Sequence, residues 1–284
     1  MSSPDVVEIN CDNLILEIRD DIENERIRLP TLPEVALQVR DAVESESSNA
    51  NSIAEMIAQD AALSARLLQV ANSPLYRSAN TIDSISMAVT RMGLKLVRSL
   101  VVSLAMKQLF EAKSESLNKY FRRTWDDAIQ VAAISRVMAT RIEGLEPEQA
   151  MLAGLIHNIG VLPILTKLDT DYKADISEEL IDTLGECVAP EMGTFMLKRW
   201  RFSEDLAQVP KQSVILDRIS GAVAEYADVV LVARVQHLTF EQRIQTEWDS
   251  IPAFATLGLD SQYQDINILA PEEEVSAVRS MLSA

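Results

Sequence analysis

Histidine is nearly absent from this chain of 284 residues, which contains only His157 and His237. A catalytic metal usually takes about three protein ligands, and histidine supplies many of them in hydrolytic enzymes. The chain also lacks the phosphate-binding patterns Gly-x-Gly-x-x-Gly and Gly-Lys-Ser/Thr, and the Gly-x-Ser-x-Gly turn of serine hydrolases. These absences disfavour metal-dependent catalysis, nucleotide hydrolysis by those loops and serine hydrolysis.

Cysteine is equally scarce, since Cys11 and Cys187 are the only two. They lie far apart in the sequence and match neither Cys-x-x-Cys nor the spacing of zinc ligands. We therefore expect two unpaired thiols that pack as small hydrophobic side chains in a reducing compartment.

Glycine and aromatic residues are also few, with 8 glycines and an aromatic content of 5%. Alanine, leucine, glutamate and methionine are abundant, and these residues favour helix over sheet. A hydrophobic content of 48% is enough for a large core without a metal or a disulfide. The predicted fold class is all-α.

Basic residues are few relative to acidic ones. The chain has 26 lysines and arginines against 43 acidic residues, which gives a net charge of −17. This charge repels nucleic acid and anionic lipid, so neither nucleic acid nor membrane is expected as a partner. The apolar runs at 100–106 and 229–233 are shorter than the roughly 18 residues of a membrane span. Residues 1–5 have no basic region of a secretory signal, and we expect a cytoplasmic protein.

Apolar residues recur at helical spacing along most of the chain. Residues 1–28 form an amphipathic leader, and a domain spans 29–235, with helical lobes at 29–112 and 119–235 on either side of a polar segment. A helical extension at 236–284 is predicted to pack on the domain. The individual helices are predicted over 11–28, 34–44, 61–71, 94–110, 120–141, 147 onward through His157, 217–235, 248–257 and 272–281.

Several short motifs follow one another in a specific order. They are LPTLP at 29–33, IAQDAAL at 57–63, RLLQVANSPLY at 66–76, residues 82–88, Met92-Gly93, Trp125, AGLIHNIG at 153–160, and Gly193 with Leu197 and Trp200. The ordered set closely resembles the HDOD domain, the HD-related output domain of bacterial signalling proteins. The resemblance implies a two-lobed, multi-helix HD-like fold and a role in signal transduction as a binding or output module.

The catalytic HD relatives of that family hydrolyse phosphate esters with a metal held by histidines and an aspartate. In this chain the aspartate of the His-Asp pair is Asn158, beside His157. The resemblance places another family histidine near Asp126 or Asp127, and further ones near Ala189, Lys211 and Gln212. His157, Asn158, Asp126 and Asp127 are therefore interpreted as relict positions of an HD site, and neither a bound metal nor another cofactor is expected.

Two charged groups permit other interpretations. Asp126 and Asp127 with Glu191 have the oxygen ligands of a magnesium site, although adjacent acids on a solvated helix face are the plainer explanation. Lys95, Arg98, Lys198, Arg199 and Arg201 are candidate contacts for an anion or an acidic partner segment, or ordinary solvated surface.

These patterns favour a non-catalytic signalling output or adaptor protein that binds another signalling protein. One alternative is a sensor that binds a small anionic, nucleotide-type ligand in the relict cleft. A further alternative is a residual metal-dependent phosphohydrolase that uses His157 and carboxylates.

Overall fold

The computed structural model describes residues 10–27, 31–43, 49–76, 81–110, 117–171, 177–221, 223–240, 248–259 and 270–283. Parts of the predicted leader and of the polar segment between the lobes lie outside these ranges, as do Leu29 and Pro30. Throughout the described ranges the regular structure is helical and contains no strand, and the all-α prediction is confirmed.

The described helices are numbered in chain order. They are α1 Cys11–Glu23, α2 Glu34–Val43, α3 Ala50–Ala58, α4 Ala61–Ala71, α5 Ile85–Met92, α6 Leu94–Met106, α7 Asn118–Ala139, α8 Pro147–Ile156, α9 Val161–Asp171, α10 Glu178–Cys187, α11 Ala189–Arg199, α12 Glu204–Ala207, α13 Val209–Gln212, α14 Tyr226–Phe240, α15 Pro252–Thr256 and α16 Glu272–Ser283. Short 3₁₀ turns occupy Lys107–Phe110 and Trp248–Ser250.

Helices α2 to α6 pack together as a first lobe, and α7 to α11 pack with α13 and α14 as a second. The two lobes meet where α6 contacts α8. A buried cluster reinforces this junction, because Glu148 accepts hydrogen bonds from Tyr76 Oη at 3.1 Å and from Arg136 Nη2 at 2.9 Å. Arg40 of α2 also donates to the backbone carbonyl of Trp200 in the second lobe.

Local sequence signals place the helix ends of the first lobe. The Asp60 carboxylate caps α4 by accepting from Leu63 N at 2.9 Å. Gly93, at φ 82°, makes the turn between α5 and α6 in a conformation that suits glycine. Asn72 ends α4 and fixes the next turn, since its side chain bonds the backbone N–H and carbonyl of Ile82 at 2.8 and 2.7 Å.

Two glycines allow very close packing around the second lobe. A Cβ on Gly154 would overlap the backbone of Ala132, so α8 lies directly against α7. A Cβ on Gly160 would overlap the carbonyl oxygen of Ala189 and lie 2.5 Å from Gly193 N. The helix that was predicted to run through His157 ends at Ile156, and residues 157–160 form a turn that brings Gly160 onto α11.

Within the described chain, the apolar stretch Pro147–Leu168 is long enough to span a membrane. However, 83% of its most apolar window is buried in the fold, which is consistent with a soluble protein.

The expectation of two unpaired cysteines is wrong. Cys11 at the start of α1 and Cys187 at the end of α10 form a disulfide, with Cα atoms 6.0 Å apart. Ion pairs hold α1 in the same place, because Lys167 Nζ lies 2.7 Å from Glu17 Oε1 and 2.7 Å from Asp21 Oδ2. The Lys167 ammonium, through its hydrogen bond, holds the pKa of Asp21 below its usual value. The cysteine pairing arises from the packing of α1 on the second lobe, which sequence spacing does not reveal.

Two C-terminal helices also differ from prediction. The predicted helix over 217–235 begins only at Tyr226, and Ile219 and Val223, which lie inside the predicted range, are exposed in a loop. The predicted 248–257 helix is a 3₁₀ turn followed by α15, because Pro252 occupies the first turn of a new helix. Phe254 and Leu257 are buried, and Trp248 stacks on Phe254 with ring centroids 5.1 Å apart.

Candidate functional site

His157 lies at the end of α8 with its ring partly buried. Its Nδ1 is 2.7 Å from the carbonyl oxygen of Gly154. Because a carbonyl only accepts hydrogen bonds, this contact assigns the proton to Nδ1 and leaves the lone pair on Nε2. The tautomer is the one that could present Nε2 to a ligand.

The charge state of His157 is set by its surroundings. Burial, followed by the positive charge of Arg234, lowers its pKa to about 3. The negative charge of Asp127 and the bond to Gly154 act in the opposite direction but do not offset these effects. The imidazole is therefore neutral at physiological pH.

The second histidine joins the same region. His237 of α14 is buried, and its Nε2 lies 2.9 Å from Asp127 Oδ1 on α7. Both groups act on the pKa of His157, so the two histidines and one predicted carboxylate converge. The sequence interpretation missed His237 because it considered only the family positions. A usable signal was its spacing of three from Arg234, which puts both on one side of a helix.

Arg234 brings a positive charge to this cleft. Its Nη1 donates to the carbonyl oxygen of Ser213 at 2.5 Å. Burial lowers its pKa to about 10, and the charges of Glu186 and Asp127 favour the protonated form. The guanidinium is therefore a permanent cation next to His157 at neutral pH.

Asn158 is bonded in a way that an aspartate would not be. Its Nδ2 donates to the carbonyl oxygen of Thr124 at 2.9 Å, while its Oδ1 is buried without a hydrogen-bond partner. An ionised carboxylate has no proton to donate to that carbonyl. Asp126, by contrast, lies on the exposed side of α7, where partial desolvation and the neighbouring Asp127 raise its pKa.

These residues do not fit a catalytic metal. Asn158 offers an amide donor toward Thr124, Asp127 is engaged with His237, and the Arg234 cation opposes a second cation. In the part of the chain that the structure describes, no group of three or more histidine, cysteine or acidic side chains is arranged to hold one. Nor does the structure favour the oxygen-only magnesium alternative, because Glu191 pairs with Lys211 and, at 3.6 Å, with Arg19.

The predicted basic contacts fall into two groups, one on α6 and one at the end of α11. Lys95 is exposed and Arg98 partly buried on α6. Lys198 pairs with Glu204 at 2.9 Å, and Arg199 and Arg201 are exposed on either side of Trp200. Their role as anion or partner contacts stays a prediction.

The family model of the HDOD domain matches residues 29–213, which is more than half of the chain. The chain belongs to the HDOD family. The resemblance drawn from the sequence motifs is thereby confirmed for the fold and the family.

Solved structures share this HDOD fold along nearly the whole chain. A protein from Shewanella amazonensis SB2B, named as a candidate metal-dependent phosphohydrolase, is 29% identical with a TM-score of 0.78, over 95% of this chain and 98% of that one. An HDOD domain protein from Geobacter sulfurreducens is 21% identical with a TM-score of 0.70, over 96% and 98% of the two chains.

A sequence relative comes from Treponema pallidum (strain Nichols), where an uncharacterized protein is 26% identical over 210 residues. The match covers 70% of this HDOD chain but 39% of the relative. The chain therefore spans less than half the length of that protein.

The bond between Asn158 and Thr124 leads to a prediction for this HDOD cleft. Changing Asn158→Asp should lower the free energy of unfolding at pH 8 by about 1–3 kcal/mol, because a carboxylate would face the Thr124 carbonyl without a proton to share. Urea unfolding measures the change, and Asn13→Asp on the exposed first turn of α1 is the control, with an effect below about 0.5 kcal/mol. An Asn158→Asp protein as stable as the wild type would contradict the assigned hydrogen bond.

The neutral His157 leads to a prediction about acid stability. Its pKa in the folded state is about 3, below the ordinary value of 6.5, so the unfolded chain takes up a proton first as the pH falls. Stability from this group is complete above about pH 6.5 and declines toward pH 3 by up to about 1.4 kcal/mol per pH unit.

Urea unfolding between pH 4 and pH 8 measures this decline. The His157→Asn variant keeps a donor for the Gly154 carbonyl but cannot titrate, so its unfolding free energy should fall less steeply with acid than that of the wild type. Parallel pH profiles for the two proteins would refute the lowered pKa of His157.

Proposed function

We propose that this HDOD protein is a non-catalytic signal-transduction output or adaptor that acts by binding another signalling protein. Family membership supports the signalling part of the proposal. The observation that carries the non-catalytic part is the donor set of the relict site. An asparagine amide and an arginine cation lie beside the neutral His157, and the second imidazole, His237, is bonded to Asp127.

The chemistry of HD hydrolysis supports this interpretation. A metal in such a site lowers the pKa of a bound water and offsets the charge of the phosphate ester. In catalytic sites of this kind the metal is usually held by neutral imidazoles and carboxylates. His157 meets this requirement, but Asn158 donates to the Thr124 carbonyl and Asp127 bonds His237. The remaining groups are too few to hold a metal that could activate water.

The rival function is the one named for the relative from Shewanella amazonensis, a candidate metal-dependent phosphohydrolase. An assay with bis-p-nitrophenyl phosphate and cyclic dinucleotides, in the presence of manganese, iron or magnesium, tests it. We expect the same background rate for the wild type, His157→Asn and Asp127→Asn. Turnover by the wild type that either substitution abolishes would overturn the non-catalytic proposal.

The cation in the cleft favours one further candidate, a sensor for a small anionic ligand. Arg234 remains protonated and is only partly buried, so an anion would be attracted to it. Calorimetry with cyclic dinucleotides distinguishes this candidate, which requires heat of binding that Arg234→Met removes. We further propose a cytoplasmic location and no resident cofactor. We also propose no direct role for nucleic acid or membrane, and the net charge of −17 supports this last part because it repels both.

A further inference from the structure

Large exposed hydrophobic side chains are concentrated in one place. Of five such residues in the described part of the chain, four lie between α13 and α14, and the fifth, Leu16, is on α1 with 64% exposure. The four are Ile215 at 41%, Leu216 at 44%, Ile219 at 85% and Val223 at 68% exposure. We call the described residues 215–221 and 223 the apolar loop. A concentration of exposed apolar residues of this kind marks an interaction site more often than plain surface does.

The described backbone of the apolar loop is anchored to the rest of the fold. The Arg218 side chain is 10% exposed and pairs with Asp228, which is fully buried, and with Glu225. Asp228 Oδ2 also accepts from Glu225 N at 2.8 Å and so joins the loop to the start of α14. Ser220 Oγ lies 3.3 Å from Thr256 Oγ1 of α15. Arg218 and Asp228 therefore point inward while the large apolar side chains face solvent.

Charged side chains usually face solvent and large aliphatic side chains are usually buried, and the apolar loop has the opposite arrangement. Leaving a large aliphatic side chain in water forgoes the favourable free energy that its burial would contribute. The ion pairs of Arg218 hold the loop in the conformation that leaves these aliphatic side chains in water. A partner that covers Ile219 and Val223 would recover part of this energy without having to order the anchored parts of the loop first.

The charges beside the apolar loop indicate the chemistry of the partner. Asp217 and Glu225 are exposed next to the apolar side chains, and the positive charge of Arg218 is offset by two carboxylates. The whole chain carries a net charge of −17. A second copy would bring an identical acidic rim and the same net charge, which opposes self-association through this loop.

We propose that the apolar loop is the docking surface for a protein segment that combines apolar side chains with lysine or arginine. This inference rests on the proposed protein-binding function and names the surface that performs it. The loop also adjoins the relict cleft, because the carbonyl of Ser213, two residues before Ile215, accepts the hydrogen bond from Arg234. The cleft cation thus helps to position the loop from which the partner is bound.

Site-specific photo-cross-linking of the full chain in its native cells tests the proposal. A benzophenone amino acid replaces Ile219 or Val223 in turn, and Leu16 in a control, since Leu16 is exposed but lies on α1. We expect the two loop positions to cross-link a different protein, with the captured peptide mapped by mass spectrometry to a segment containing apolar and basic residues.

A second variant shows whether the loop itself causes the capture. Adding Ile215→Ser and Leu216→Ser should reduce the cross-linking yield by about tenfold, since each change removes an apolar contact with the partner. Both side chains are exposed, so the thermal unfolding midpoint should stay close to that of the parent protein and confirm that the fold is intact.

The possible outcomes distinguish failure of the proposed docking surface from failure of the proposed protein-binding function. Cross-links to a second copy of the chain, or to an acidic segment, would overturn the proposed partner chemistry. Capture of a protein only at Leu16 would overturn the docking surface and leave the protein-binding function standing. The absence of any captured protein at all three positions, together with metal-dependent phosphodiester turnover, would overturn both.

Discussion

Replacing Gly160 with alanine should lower the free energy of unfolding by about 3 kcal/mol, one of the two largest single-residue effects expected in this protein. The new Cβ would overlap the carbonyl oxygen of Ala189 and lie 2.5 Å from Gly193 N. Both obstacles are backbone atoms, which cannot move aside by changing a rotamer. The turn at 157–160 would have to shift away from α11, and His157 and Asn158 would shift with it.

A matched glycine provides the control for this prediction. Gly185 lies inside α10, and a Cβ built on it has no atom within 4 Å. Gly185→Ala should therefore stabilise the protein by about 0.5–1 kcal/mol, the usual gain for alanine over glycine in a helix. Urea unfolding of both variants measures the difference. Equal stabilities for the Gly160 and Gly185 variants would mean that the close approach to α11 is wrong.

Removing the disulfide should have the second large effect. Under oxidising conditions, Cys11→Ser should lower the free energy of unfolding by about 2–5 kcal/mol, because the bond closes a loop between residues 176 positions apart. Cross-linking restricts the unfolded chain most when the loop is long. The ion pairs from Lys167 to Glu17 and Asp21 remain, so α1 should loosen without the rest of the fold opening.

Reductant supplies the control for the cysteine prediction. With a dithiol reductant present, the wild type and Cys11→Ser should unfold at nearly the same urea concentration, and Cys187→Ser should match both. Hydrogen exchange should then be faster in α1 than in the oxidised wild type. A wild type whose stability is unaffected by reductant would contradict a stabilising bond between α1 and α10.

Much of the fold is predictable from the sequence because its local signals agree with the tertiary structure. Asp60 caps α4, Gly93 permits the turn before α6, and Pro147 begins α8. The HDOD motifs add the order in which these helices occur. Such signals act within a few residues, so they can be recognised without knowing which helices pack together.

The misassigned features depend on contacts between distant residues. The spacing of Ile219 and Val223 is helical, but the ion pair between Arg218 and Asp228 holds that segment as a loop. The pairing of Cys11 with Cys187 requires α1 to lie against the second lobe. Sequence spacing contains no information about either packing arrangement.

The candidate site likewise combines residues that the sequence motif identifies with residues that only the packing of distant helices brings together. His157, Asn158 and Asp127 are recognisable from the motif, and the structure places all three near the junction of α7 and α8. His237 and Arg234 come from α14, far along the chain, and reach the cleft only because α14 packs on α7 and α8. Arg234, the cation on which the proposal of a metal-free site partly rests, was therefore not visible in the motif.

The central claim, that this HDOD cleft does not hold a catalytic metal, is tested most directly by elemental mass spectrometry after purification without chelators. Titration with manganese, iron, zinc and magnesium would follow, with His157→Asn as the matched variant. We predict far less than one metal per chain and the same weak binding in both proteins. Stoichiometric metal in the wild type that is lost in His157→Asn would contradict the claim and support a phosphohydrolase.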